Sequence, residues 1–114
     1  MRFITGVLAA TALGLLAFQA TAGEYAFTLH NRAQGWTING LQTFQDGRWS
    51  KNWLGKGDRI RPGESAAMDW NSDEGDCVVP FRVSWEGYGT DEFKLDWCKG
   101  VKNVYMLDKG FRWD

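Results

Sequence analysis

Few residues in this chain are equipped for chemistry, and each lacks the partners its chemistry requires. His30 is the single histidine, the side chain most often used as a base in nucleophilic catalysis. It lies in an alternating apolar segment beside turn residues, so it reads as a surface or half-buried strand position. Carboxylates are plentiful, and two of them can hydrolyse a glycoside, but no spacing singles out a pair. The run Asp69-Trp-Asn71-Ser-Asp73-Glu74-Gly75-Asp76 offers oxygen ligands at alternate positions, as an EF-hand loop begins. Glu74 stands where that loop needs Gly, and Pro80 where it needs Glu, so the run reads as an acidic turn. The expectation is a chain with no catalytic residue, no metal and no cofactor.

The two cysteines, Cys77 and Cys98, are easier to place. Neither belongs to a Cys-x-x-Cys pair, and one histidine cannot complete a zinc set. Their meaning depends on the compartment, and the N-terminus supplies it. Arg2 is the only charge before Glu24, and Val7–Phe18 is mostly apolar. Ala20-Thr-Ala22 offers small side chains where a signal peptidase probes, which places cleavage between Ala22 and Gly23. The apolar core is diluted by Thr11 and Gly14 and falls short of the ~20 residues needed to span a bilayer. Residues 1–22 therefore read as a signal peptide, and 23–114 as one periplasmic or secreted domain with no stable membrane anchor. An even cysteine count outside the cytoplasm reads as a Cys77–Cys98 disulfide.

The stretch from Arg48 to Arg61 is the most suggestive of contact with a partner. It holds five basic residues and two tryptophans against one acid, Asp58. Tryptophan with basic neighbours can stack on sugars and pair with anionic groups. Arg48, Trp49, Lys51, Trp53, Arg59 and Arg61 are the candidate contact residues. Trp49 and Trp53, four apart, would share a strand face, where they would serve equally as core. The whole chain carries 13 basic and 14 acidic side chains, far from the basic balance of a nucleic-acid binder.

The elements that must position these residues are strands. Tyr25, Phe27 and Leu29 alternate with Ala26, Thr28 and His30, and Trp36–Gly40 resumes the alternation after a turn at 31–35. Val79, Phe81, Val83 and Trp85 share one face of a later strand, and Phe93, Leu95 and Trp97 one face of the next. Val104 with Met106, and Phe111–Trp113, suggest two more. Turn chemistry at Asp46-Gly47, Pro62-Gly63, Glu86–Gly89 and Asp108–Gly110 separates them at even spacing. No helical period of useful length follows Gly23. Seven or eight short strands predict an all-β, antiparallel sandwich, immunoglobulin-like or barrel-like. Cys77 and Cys98 then flank the open end of a hairpin turning at 86–90, though an inter-sheet bridge fits the spacing too. Pro80 marks its strand as an edge or as bulged there.

Phe27-Thr-Leu-His-Asn31, Gly35-Trp-Thr-Ile38, the Pro62-Gly-Glu-Ser65 turn and Cys77 with Leu95-Asp-Trp-Cys98 together resemble a group of small, uncharacterised exported bacterial β-proteins. The resemblance spans most of the chain after residue 22. It implies a periplasmic β-sandwich with one disulfide and implies no activity. Val78-Val-Pro80-Phe departs from the aromatic–Asp step expected after the first cysteine. The functional expectation is a non-enzymatic binding domain for a protein or glycan of the cell envelope. A second reading is an immunity or inhibitor protein that neutralises a toxin or hydrolase, and a third is a small carboxylate-dependent envelope hydrolase.

Overall fold

The computed structural model describes residues 2–3, 8–9, 26–70 and 75–114. It is all-β, with two sheets packed face to face. The strands are β1 (Arg2–Phe3), β2 (Leu8–Ala9), β3 (Ala26–Asn31), β4 (Ile38–Gln45), β5 (Arg48–Trp49), β6 (Glu64–Asp69), β7 (Val78–Trp85), β8 (Thr90–Asp96), β9 (Asn103–Met106) and β10 (Phe111–Trp113). One sheet has the order β1-β6-β3-β9-β10, with β2 also on β6; the other runs β5-β4-β7-β8. Apart from β1 and β2, the expected signal peptide lies outside the described residues, as does 71–74 of the acidic run. Asp69 itself is a buried residue of β6.

Alternation in the sequence becomes alternation in burial. Phe27 and Leu29 of β3 point inward, as do Val79, Phe81, Val83 and Trp85 of β7, which meet Ala66, Met68, Val104 and Met106 from the opposite sheet. Aromatic rings fill the width of this core: Trp97 packs against Phe27 at 4.8 Å and Phe81 at 5.8 Å between centroids. At about 25 cal/mol per Å² of apolar surface, such large side chains let a small domain offset its chain entropy.

Three local expectations are corrected. The strand expected from Trp36 starts at Ile38, because Trp36 and Thr37 belong to the loop that follows a left-handed Gly35 (φ +79°). The fold is not wholly antiparallel: β9 runs parallel to β3, from Thr28↔Asn103 to Asn31↔Met106. After β8, the 3-10 turn Trp97–Lys99 carries the chain across to the other sheet, so β9 enters in the direction of β3 instead of hairpinning back. Finally, Trp49 and Trp53 do not share a strand. β5 ends at Trp49, and Trp53 lies in the following loop.

Pro80 belongs to an interior strand, yet its position there is an edge. The β4 ladder against β7 ends at Thr43↔Phe81, so the missing Pro80 N–H interrupts no bond to β4. On its other side β7 pairs with β8 without a break from Ser84↔Thr90 to Val78↔Asp96.

The disulfide joins Cys77 to Cys98 diagonally across a Cα–Cα distance of 5.1 Å, just beyond that last pair, where Trp97 N–H donates to Cys77 O. It staples the open end of one hairpin and does not link the sheets. Replacing both cysteines with serine is expected to lower stability by about 3 kcal/mol, the chain-entropy value for a loop of this size. A urea midpoint displaced to lower concentration at unchanged slope would register it; an unmoved midpoint would show that the hairpin holds without the bond.

Candidate functional site

Four loops meet at one end of the sandwich: 32–37 after β3, 55–63 before β6, 86–89 between β7 and β8, and 107–110 between β9 and β10. Asn31 organises them. Its side chain is fully buried, donates to the carbonyls of Trp36 (2.7 Å) and Ile60 (2.8 Å), and accepts from Ala33 N–H (3.0 Å). Its carbonyl accepts from Gly63 N–H at 2.8 Å. Glu86 N–H donates to Thr37 O at 2.8 Å, and Asp108 accepts from Gln34 N–H at 2.8 Å, so the remaining turns are tied to the same loop.

This frame holds one aromatic ring in solvent and a second partly exposed against it. Trp36 is 38% exposed and Tyr88 63%, and their ring centroids stand 3.9 Å apart at an interplanar angle of 47°. Beside them opens a cleft of about 260 Å³, whose walls include Trp85, Thr90, Asp91 and Asp108. Trp85 Nε1–H donates to one carboxylate oxygen of Asp91 at 2.9 Å, and Gln34 N–H to one of Asp108. The second oxygen of each makes no hydrogen bond among the described residues. A second, more open recess is lined by Gly35, Thr37, Gly57, Arg59, Arg61 and Glu86. The cleft therefore has an apolar platform, two acceptors, and a basic rim next door.

The six residues singled out in the sequence are not brought together. The stretch 48–61 runs back along β4: Ser50 N–H bonds Thr43 O, Trp53 N–H bonds Leu41 O, and Ile60 exchanges both backbone bonds with Ile38. Its ends therefore lie at opposite ends of the sheet. Arg59 and Arg61 reach the loop end, where Arg59 Nε donates to Glu86 at 2.8 Å. Arg48 is exposed at the other end. There the half-buried Trp49 is covered by the Arg82 guanidinium, 4.0 Å from its ring centroid. Trp53 is a packing residue: its ring lies against the core and its Nε1–H donates to the buried Thr43 hydroxyl at 2.9 Å. Exposed Lys51 sits 5.8 Å from that ring. Trp36 and Tyr88 were missed as a pair because nothing in a sequence links positions this far apart. Their only local signal is that each sits in a Gly-containing turn.

His30 is half-buried on the outer face of β3. Asn103 Nδ2–H donates to Asp114 at 2.8 Å, which turns Asn103 Oδ1 toward His30 Nε2, also at 2.8 Å. Nε2 then carries the proton, and Nδ1 accepts from the Ser65 hydroxyl at 2.6 Å. This line joins β6, β3 and β9 side by side. It has the order of a nucleophile, a base and an orienting group; in this structure Ser65 is buried and the line ties three neighbouring strands together. Burial lowers the His30 pKa from its ordinary 6.5, with Arg32 and Arg112 adding to the effect and the Asn103 bond and Asp114 opposing it.

Between the lowered folded value and 6.5 the unfolded chain binds more protons, so stability rises with pH in that window. The contribution is complete above 6.5 and is lost as the pH falls toward the folded pKa. Melting temperature is thus expected to drop more steeply from pH 7 to pH 5 in the native chain than in His30→Gln. Parallel curves would show that His30 carries no such dependence.

Compared with protein-family models, curated proteins and solved structures, the chain matches none.

Proposed function

We propose that this is a non-enzymatic binding domain acting outside the cytoplasm, and that its loop-end cleft takes a neutral sugar unit of an envelope glycan. The observation that carries the reading is the exposed Trp36–Tyr88 pair beside a cleft that also holds Asp91 and Asp108. A pyranose ring has an apolar C–H face and an equatorial edge of hydroxyls. The aromatic faces suit the first, and carboxylate oxygens accept from the second in a concave site with few polar groups. Two carboxylates in so small a cleft disfavour an anionic sugar at that point. The disulfide supports an oxidising compartment.

Arrays of envelope polysaccharide fragments, followed by titration calorimetry on the best of them, test the reading. Trp36→Ala and Tyr88→Ala are each expected to weaken binding at least tenfold, roughly 1.4 kcal/mol, with the melting temperature nearly unchanged for the largely exposed Tyr88 and lowered modestly for Trp36, most of whose surface is covered. Trp53→Ala should do the reverse, destabilising the fold by about 2 kcal/mol as a partly buried large-to-small change while leaving affinity in place. Binding that survives both loop-end substitutions would remove the assignment. New reducing ends in the incubated glycan would replace binding with hydrolysis.

A further inference from the structure

The sheet edges of this molecule are guarded unequally. Edge strands expose unpaired N–H and C=O groups and are usually blunted by charge, proline, shortness or a bulge. β10 has three residues and β5 two, and the chain after β5 bonds back along β4. β8 carries exposed Asp91, Glu92 and Lys94. β6 carries charge only at its two ends, Glu64 and Asp69, and none of the other devices. Ser65-Ala-Ala-Met68 is uncharged and free of proline, and its ladder to β3 runs unbroken from Ala26↔Asp69 to His30↔Ser65.

The outer edge of β6 is also a strand-binding edge in fact. The chain's own N-terminal segment occupies it antiparallel, with Arg2↔Asp69 and Phe3↔Met68, then Leu8↔Ser65 and Ala9↔Glu64. These residues belong to the segment whose sequence reads as a removable signal peptide. Once it is gone, β6 becomes an unguarded edge.

We propose that the outer edge of β6 is a strand-acceptor site for an extended segment of a partner protein, and that the N-terminal segment holds this site until it is removed. The partner segment is largely uncharged, runs antiparallel, and places one basic residue opposite Asp69. Its chemistry follows from the occupant already seated there: a basic residue at the Asp69 position and apolar residues at the other three. A second copy of the chain is a poor occupant. Two fully overlapped antiparallel β6 strands set Glu64 against Asp69 at both ends, and like charges directly opposite are destabilising. Backbone bonds supply affinity in this mode and side-chain positions supply selectivity.

The test uses the chain recovered from the exporting cell, its N-terminus read by mass. Amide hydrogen exchange is followed at residues 64–69, with a synthetic peptide of residues 1–10 as probe. The processed chain should exchange faster there than the unprocessed precursor, and the peptide should restore protection. A peptide with Glu in place of Arg2 should bind roughly two- to fivefold more weakly, and Asp69→Asn should erase that difference. An export product that keeps residues 1–22 overturns the proposal, because the edge then remains filled. So does a peptide that leaves these amides unchanged, or a processed chain that protects them by dimerising. Should Asp69→Asn fail to fold, exchange on the native chain still decides.

Discussion

The loop end of this sandwich depends on one buried amide. Asn31 closes β3, and its side chain bonds the Trp36 carbonyl and the Ala33 N–H and adds a second donor to the Ile60 carbonyl, which Ile38 N–H already serves. A buried polar group left without its bond costs about 1–3 kcal/mol, a large share of what a small core gains. The placement also explains the geometry. By holding the Trp36 carbonyl, Asn31 turns the Trp36 ring out of the strand that follows. By holding the Ile60 carbonyl, it draws Arg59 and Arg61 to the same end.

The two sheets divide the remaining labour. β7 and β8 form a long unbroken ladder stapled at its open end, and β7 lends four inward side chains to the core. The opposite sheet is tied by side chains on its outer face, where Ser65, His30 and Asn103 form a hydrogen-bonded line over three strands. That line suits a sheet with a parallel pair, because parallel ladders are slightly weaker per residue than antiparallel ones.

Much of the fold was legible in the sequence. The period-2 runs at 27–29, 79–85 and 104–106 are buried on the expected faces, since alternation is a local property and burial follows it. The two cysteines and the turn between them pointed to a hairpin staple but left an inter-sheet bridge open, because spacing alone does not say which strands share a sheet; the β7–β8 ladder decides it. The parallel β3–β9 pair was not legible, because strand direction depends on where the chain crosses between sheets and not on composition. The candidate site was hardly legible at all. Arg48 to Arg61 looked like one basic, aromatic patch because its residues are close in sequence. Hydrogen bonds to β4 stretch it along the sheet, bury part of Trp53 and leave only Arg59 and Arg61 near the cleft. Trp36 and Tyr88 meet through the approach of two loops, which no single window contains.

That last meeting has a kinetic consequence. Trp36 and Tyr88 sit on different turns, and their contact requires β4 to have registered on β7. Contacts so distant in sequence form late, after the local hairpins have closed. The ring pair therefore exists only once the sandwich is assembled. An unfolded chain carries the same aromatic residues, but scattered, with no surface shared between them.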